Sequence, residues 1–242
     1  MSSKSTAPLP TVCILAGGLG SRLGTRAGGV PKPLVEVAGR PFLLHQLELL
    51  SRHGARHVVL CVGHLGEQIE EVIGSGRFGI AVQYSYDAPG LDGTLGAVRR
   101  ALPLLGQRFL VLYGDTYLRL DYGVVTQQWD ESGLPAFMTV LRNDGRFDTS
   151  NADFTDGLVV RYDKRNPSAD MRYIDYGLGG LTAVVARGLG DDERDLAELY
   201  RVLAERRLLC GIEATERFYE IGTPAALAET DRFLSTLPAS EA

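Results

Sequence analysis

The stretch VCILAGGLGSRLGT, residues 12–25, sets a short apolar run directly before a glycine-rich loop. The apolar run predicts a buried β-strand. Glycines at 17, 18, 20 and 24 indicate a backbone that comes close to a ligand, typically a phosphate. The backbone N–H groups of residues 17–21 are expected to surround an anion, with the Arg22 guanidinium binding its oxygens. We therefore predict a phosphate site at the end of the first strand.

Two common phosphate-binding loops are excluded by spacing. A Walker A loop requires a glycine followed by a lysine, and the chain contains no Gly-Lys pair. A dinucleotide fingerprint that begins at Gly18 requires a glycine where the chain has Leu23, and Gly24 comes one residue late. The second mismatch also argues against a nicotinamide oxidoreductase.

A second cation follows the loop at a fixed place in the sequence. Lys32 lies between Pro31 and Pro33, which restrict the backbone on both sides of it. A lysine held in this way loses little entropy when it binds. Two cations beside a ring of backbone N–H groups suit a triphosphate better than a single phosphate.

Composition limits the classes of partner. The chain has 242 residues and a formal net charge of -5, which argues against a general nucleic-acid binder or an anionic-membrane binder. The widely spaced Cys13, Cys61 and Cys210 predict buried core thiols rather than disulfides or a zinc site. The first residues lack an apolar signal segment, and no apolar stretch has membrane-spanning length, so we expect a cytoplasmic protein.

Alternating strand and helix patterns predict the fold class. We expect an α/β fold with a Rossmann-like, mixed but mainly parallel sheet flanked by helices, in a single domain over residues 1–242. The second half is expected to add a small antiparallel portion, and residues 1–9 and 237–242 to form disordered tails. Predicted strands span residues 11–16, 57–62, 80–86, 108–115, 136–142, 158–164 and 173–185. Predicted helices span residues 41–54, 66–74, 94–102, 191–206 and 224–235.

The stretch LAGGLGSRLGTRAGGVPKPLVEVAGRPFLLHQLELL resembles the signature of the sugar-1-phosphate nucleotidyltransferases. That signature is L-A-G-G-x-G-x-R-L followed by P-K-P-L and a helix. The likeness is dense over residues 12–50 and continues more weakly to about residue 235. It is greatest to the short, single-domain members, such as the heptose- and mannose-1-phosphate guanylyltransferases.

The resemblance implies a reaction and a cofactor. A sugar 1-phosphate would attack the α-phosphorus of a nucleoside triphosphate, GTP being favoured, and release pyrophosphate. Arg22, Lys32 and Asp115 would be the catalytic residues, with Mg²⁺ as the cofactor. Asp115 and Glu220 would bind the metal, although the family has an aspartate where this chain has Glu220. The partners are the two substrates, with no nucleic acid and no membrane, and a homodimer is an open alternative to a monomer.

The resemblance also assigns binding residues. Asp163 and Asp175 depart from it, since they replace a glutamate and an asparagine of the family. The implied nucleotide-binding residues are Leu15, Ala16, Gly17, Gly18, Gly20, Ser21, Arg22, Lys32, Asp87, Gly93, Thr94 and Gly114. The implied residues for the sugar phosphate are Lys164, Asp175, Tyr176 and Gly177.

Two other functions remain open from the sequence. One is cytidylyl transfer to a phosphorylated amino alcohol, for which Asp175, Tyr173 and Tyr176 would supply an anionic or aromatic pocket. The other is a catalytically inactive nucleotide-sensing subunit. Such subunits typically lose the loop arginine, the lysine or the metal carboxylate, and this chain retains Arg22, Lys32 and Asp115.

Overall fold

A ten-stranded mixed β-sheet dominates the computed structural model, which describes residues 8–18, 29–88, 93–188 and 194–238. Two two-stranded ribbons, β2 with β3 and β8 with β14, accompany it. The strands are β1 (Thr11–Leu15), β2 (Glu36–Val37), β3 (Arg40–Pro41), β4 (His57–Val62), β5 (Gly76–Arg77), β6 (Ile80–Tyr86), β7 (Arg108–Tyr113), β8 (Thr116–Tyr117), β9 (Ala136–Arg142), β10 (Ala152–Thr155), β11 (Leu158–Tyr162), β12 (Tyr173–Thr182), β13 (Leu209–Ala214) and β14 (Tyr219–Glu220). The helices are α1 (Phe42–Arg52), α2 (Gly66–Ile73), α3 (Gly93–Leu105), α4 (Tyr122–Ser132), α5 (Ala183–Arg187), α6 (Leu196–Glu205) and α7 (Pro224–Thr236).

The sheet has a parallel half and a mainly antiparallel half. Its strand order is β10-β11-β13-β9-β12-β7-β1-β4-β6-β5. β7, β1, β4 and β6 run parallel to one another, whereas β12 is antiparallel to both β7 and β9. The predicted mixed α/β class is confirmed, and its antiparallel portion is larger than expected.

The central strands are apolar along their whole length because helices cover both faces of the sheet. In β1, Val12 and Ile14 belong to one core cluster and Cys13 to the other. Cys13 and Cys61 lie on neighbouring strands with their Sγ atoms 3.4 Å apart, and both thiols are free. All three cysteines are buried, as predicted.

Several elements of the second half differ from the sequence prediction, among them strands β10 and β13, which were not predicted. Helix α4 was not predicted, since its sequence YGVVTQQWDES has few apolar residues. Its ends are well specified: the Asp121 carboxylate accepts from the Val124 N–H, and Gly133 ends the helix in a left-handed conformation. The strand predicted over residues 173–185 ends at Thr182, whose hydroxyl caps α5 by accepting from the Val185 N–H.

The chain ends are largely outside the described residues. Leu9, within the segment predicted as a tail, is buried against the core. Within the four described ranges, no helix combines the length and apolarity needed to span a membrane.

Candidate functional site

The glycine loop leaves β1 at the carboxyl edge of the parallel strands. Leu15 pairs with Tyr113 of β7 and with Cys61 of β4. The Ala16 N–H donates to the Cys61 carbonyl at 2.8 Å, and the Gly114 N–H donates to the Leu15 carbonyl at 3.0 Å. These bonds place the start of the loop beside the end of β7, where α/β sheets bind ligands.

Close packing explains Gly17 and Gly114 at this edge. A Cβ atom on Gly17 would lie 2.8 Å from Asp87 Oδ2 and 3.2 Å from the Gly63 nitrogen. A Cβ atom on Gly114 would lie 2.9 Å from the Leu15 carbonyl oxygen. Gly18 follows with open space around it. The predicted residues Gly20, Ser21 and Arg22 lie outside the described residues.

Lys32 and Asp115 form an ion pair across this edge. Pro31 precedes a short 3-10 helix of residues Lys32–Leu34, and the Lys32 side chain is buried rather than lying on a surface loop. Its Nζ lies 2.5 Å from Asp115 Oδ2, although the two residues are far apart in sequence. The other carboxylate oxygen, Oδ1, accepts from the Thr116 hydroxyl at 3.1 Å. A cation and a carboxylate therefore meet at the residue after Gly114, at the carboxyl end of β7.

Gln46 is a residue of this edge that the sequence analysis did not single out. It projects from α1 and is almost fully buried. Its Nε2 donates to the carbonyl oxygens of Tyr113 and Thr116, at 2.8 and 2.7 Å. The amide thus fixes the turn that carries Asp115. No local pattern distinguishes it from any polar residue in an amphipathic helix.

Glu220 reaches the same turn through the ribbon of β8 and β14. Glu220 pairs with Thr116, and the Ile221 N–H donates to the Asp115 carbonyl at 3.0 Å. The buried Thr230 hydroxyl of α7 donates to the Glu220 carbonyl at 2.6 Å. The predicted metal carboxylates therefore lie on paired backbone segments.

Asp115 and Glu220 are the two carboxylates at this turn that could hold a magnesium ion. Mg²⁺ takes one or two protein carboxylates and completes its shell with water and substrate phosphates. In the part of the chain that the structure describes, no group of three or more His, Cys, Asp or Glu residues is placed to hold a metal. A sparse, all-oxygen donor set is the one that leaves room for phosphate ligands.

The other predicted nucleotide residues divide into two places. Asp87 follows β6 and faces Gly17 at the loop. Gly93, with φ of +67°, and Thr94 begin α3 at its junction with α6. The Thr94 hydroxyl accepts from the Leu196 N–H at 2.8 Å and lies 3.3 Å from Asp195 Oδ1. Thr94 therefore joins two helix termini.

Lys164 lies in a turn after β11. The Asp163 carboxylate accepts from the N–H groups of Arg165 and Asn166, at 2.9 and 2.8 Å, and so holds the turn. Lys164 Nζ lies 5.7 Å from the centre of the Tyr113 ring. This contact brings the predicted sugar-phosphate lysine to the side chain of Tyr113, the last residue of β7.

Asp175 is partly buried on β12, within reach of the Lys164 charge. Its Oδ2 accepts from the Tyr162 hydroxyl at 3.2 Å, and its Oδ1 accepts from the Gly177 N–H at 3.0 Å. The pKa of Asp175 is raised above its ordinary value, because burial outweighs the opposing effect of the nearby Lys164 charge. Burial, followed by the charge of Asp175, raises the pKa of Tyr113 well above its ordinary value.

Neighbouring positions on β12 point in different directions. Tyr176 is buried in the core, edge-on to Phe218 with ring centres 5.9 Å apart. Its side chain therefore packs away from the Asp175 carboxylate. Gly177, with φ of +107°, lies against Thr116, since a Cβ there would be 3.6 Å from the threonine methyl group. The segment around Gly177 thus contacts the turn that carries Asp115.

Comparison with known proteins identifies relatives of this arrangement. Residues 12–216 match the family of MobA-like NTP transferase domains. The chain is 32% identical over 152 residues to D-glycero-alpha-D-manno-heptose 1-phosphate guanylyltransferase of Campylobacter jejuni subsp. jejuni, an alignment that covers 63% of this chain and 67% of that protein.

A second relative and a solved structure extend the comparison. The chain is 44% identical over 103 residues to CMP-5'-(3-aminopropyl)phosphonate synthase of Streptomyces rubellomurinus, which covers 42% of this chain but only 16% of that protein. The crystal structure of HddC from Yersinia pseudotuberculosis complexed with GMP-PN superposes with a TM-score of 0.75 at 23% identity, covering 93% of this chain and 100% of that one. The superposition shows a shared fold.

Proposed function

The chain belongs to the family of MobA-like NTP transferase domains, and from that membership we propose a specific reaction. It transfers a nucleotidyl group from a nucleoside triphosphate to a sugar 1-phosphate, forming an NDP-sugar and pyrophosphate. The observation that carries the proposal is the ion pair between the buried Lys32 and the half-buried Asp115 at the carboxyl edge of the parallel strands. The heptose 1-phosphate guanylyltransferase relative favours GTP and a heptose or hexose acceptor.

The chemistry needs positioning and charge neutralisation rather than a protein nucleophile. A phosphate oxygen of the sugar 1-phosphate attacks the α-phosphorus, a new P–O bond forms, and the bond to pyrophosphate breaks. That oxygen is already anionic at neutral pH because the second pKa of a phosphate monoester is about 6. Catalysis therefore rests on holding the two phosphates in line and offsetting their negative charge.

The residues at the carboxyl edge of the parallel strands would each have a role in this reaction. The backbone at Leu15, Ala16, Gly17 and Gly18 would approach the triphosphate, and Arg22 and Lys32 would neutralise it. Asp115 and Glu220 would hold Mg²⁺, which supplies further positive charge to the phosphates when bound. The Lys32 amine must then leave Asp115 for phosphate oxygens. Asp87, facing Gly17, would accept from the amino edge of guanine.

The acceptor would bind on the opposite side of Asp115. Lys164 would bind the acceptor phosphate, and the Asp175 carboxylate with the Gly177 backbone would contact sugar hydroxyls. A carboxylate only accepts hydrogen bonds, so it selects acceptors that offer hydroxyl donors. We also propose a cytoplasmic reaction, because nucleoside triphosphates are available there. A homodimer stays a prediction.

One observation favours a second candidate. Asp175 is a carboxylate lined by tyrosines, with Tyr162 donating to it and the Tyr113 ring nearby. Such a group attracts an ammonium as well as a hydroxyl. The aminopropylphosphonate synthase among the relatives makes a CMP product. Cytidylyl transfer to an acceptor that carries both an amine and a phosphoryl group is therefore the alternative.

One assay separates these candidates. The purified chain is incubated with each of the four common ribonucleoside triphosphates and Mg²⁺, against a panel of hexose and heptose 1-phosphates and of aminoalkyl phosphates and phosphonates. Pyrophosphate release and the product mass are recorded. A GDP-sugar as the main product supports the first proposal, and a CMP-amine conjugate supports the alternative. No pyrophosphate with any pair would overturn both.

A further inference from the structure

Strand β12 breaks its ladder with β9 at the acceptor side of the candidate site. Asp175 pairs with Val140 and Gly179 pairs with Met138, so residues 176–178 stand opposite the single residue Thr139. This is a β-bulge, a feature that redirects a strand and its side chains. The bulge contains Gly177, which the proposed function places at the acceptor.

The Thr139 side chain occupies the gap in the ladder. It is fully buried, and its hydroxyl donates to the Leu178 carbonyl at 2.7 Å. The same oxygen accepts from the Leu178 N–H at 3.2 Å. One hydroxyl therefore satisfies both backbone groups of a buried residue, which would otherwise carry a large desolvation penalty.

Side chains hold the rest of the bulge as well. The Asp175 N–H donates to Asn151 Oδ1 at 2.9 Å, and the Gly177 N–H donates to Asp175 Oδ1 at 3.0 Å. These bonds and those of Thr139 hold the segment where the ladder between β12 and β9 is interrupted, at residues 176–178. Gly177 is thereby placed against Thr116, one residue beyond Asp115.

We propose that Thr139 is a positioning residue for acceptor recognition. It touches no substrate, since its side chain is fully buried, and acts through Leu178 to set the backbone of residues 175–177. The inference rests on the proposed function, which assigns this segment to the acceptor. Loss of the hydroxyl should loosen the bulge and weaken acceptor binding, with little effect on the nucleoside triphosphate.

The test compares Thr139→Val, which removes the hydroxyl at nearly constant shape, with Thr139→Ser, which keeps it. In Thr139→Val we expect the KM for the acceptor to rise about tenfold or more, while the KM for the triphosphate stays within about twofold. Thr139→Ser should restore the acceptor KM to within about threefold of wild type. Hydrogen–deuterium exchange of the peptide over residues 173–182 should quicken in the valine variant alone.

Controls separate positioning from loss of stability. Leu105→Ala removes a buried side chain at the far end of α3 and should lower thermal stability without changing either KM. If Thr139→Val does not fold, Thr139→Cys keeps a weak donor and acceptor and should give an intermediate acceptor KM.

Three results distinguish the possible failures. If wild type turns over but the acceptor KM of the valine or cysteine variant is unchanged, the role of Thr139 is overturned and the proposed function stands. Equal rises in both KM values also overturn it. If the wild-type protein turns over no pair of substrates, the proposed function is wrong, and this inference is wrong as well.

Discussion

The two edges that meet at Asp115 are built in different ways. What we propose as the nucleotide edge, residues 15–18, Lys32 and Asp115, lies at the ends of parallel strands and follows a short sequence motif. What we propose as the acceptor edge, Lys164, Asp175 and Gly177, lies on the turn after β11 and on the bulge of antiparallel strand β12. Buried side-chain hydrogen bonds, rather than a motif, hold the acceptor edge in place.

This difference indicates where the protein is free to vary. The nucleotide edge has close contacts that leave no room for a Cβ atom at Gly17, against the Asp87 side chain, or at Gly114, against the Leu15 carbonyl, so its sequence is constrained. The acceptor edge depends on side chains that other side chains can replace while the fold remains. We therefore expect changes at the first edge to affect turnover with every acceptor, and changes at the second to affect the choice of acceptor.

The strongest way to break the comparison is to neutralise the two cations of the nucleotide edge. Lys32→Met keeps most of the buried volume but removes the charge, and Arg22→Ala removes the loop guanidinium. Each should lower kcat by ~10²–10³-fold, as does the loss of one preorganised electrostatic group. Steady-state pyrophosphate release is the measurement, with circular dichroism to verify folding. Wild-type-like turnover in either folded variant would contradict the triphosphate site.

Removing the metal should have an effect nearly as large. Asp115→Asn keeps the shape of the side chain but removes its charge, so it should abolish most activity, as should an excess of EDTA in the wild type. Added Mg²⁺ should restore the chelated wild type and not the variant. Persistent turnover in EDTA would show that the carboxylate has another role.

Lys164 gives a matched test of the acceptor edge with the same residue type. Lys164→Met removes a charged hydrogen bond to the acceptor phosphate, which should raise the acceptor KM about tenfold. The KM for the triphosphate should stay within about twofold, in contrast to Lys32→Met. If both lysine variants changed the same parameter, the two edges would not be separate.

Substitution of Glu220, which lies between the two edges, should have a smaller effect, on the metal requirement. Glu220→Gln should raise the Mg²⁺ concentration for half-maximal rate several-fold, because the metal retains Asp115, phosphate and water as ligands. Glu220→Asp restores the residue that the family carries and should retain part of the activity. A wild-type metal titration for Glu220→Gln would make Glu220 structural.

The sequence predicted the nucleotide half of the fold well. Strands β4 and β6 begin and end where predicted. β4 is a nearly continuous apolar run, as expected for a buried parallel strand, whereas burial alternates along β6. Only the structure shows that Lys32 pairs with Asp115, although the sequence motifs predicted both residues as part of the site. Their contact depends on strand order, which the sequence pattern does not specify.

The supporting residues of both edges were not predictable in this way. Gln46, Asn151 and Thr139 act through hydrogen bonds to backbone groups that are far away in the chain. Nothing in the local sequence shows that these residues are buried, because a polar residue gives the same hydrophobic pattern whether it is buried or exposed. Helix α4 was missed for a related reason, because its caps specify it more than its apolar pattern does.

Asp175 provides the smallest expected effect, and it concerns stability. Because burial raises the pKa of this carboxyl group, its charged form disfavours folding at neutral pH. Asp175→Asn removes that charge. The asparagine oxygen can still accept from the Gly177 N–H, and its amide can donate to Tyr162. We therefore expect Tm at pH 7.5 to rise by about 2–4 °C, which corresponds to ~1 kcal/mol in a chain of this size.

The pH dependence of this gain has a definite sign. A raised pKa means that the folded protein binds more protons than the unfolded chain between the two pKa values, so wild-type stability falls as pH rises through that window. The advantage of Asp175→Asn should therefore be full at neutral pH and shrink as the pH falls toward the acid range. Thermal melts of both proteins across this range measure it. The control is Asp163→Asn, at a turn where the carboxylate accepts two backbone N–H groups, and it should not stabilise the protein. A stability gain for Asp175→Asn that is independent of pH would show that the carboxylate charge is not its cause.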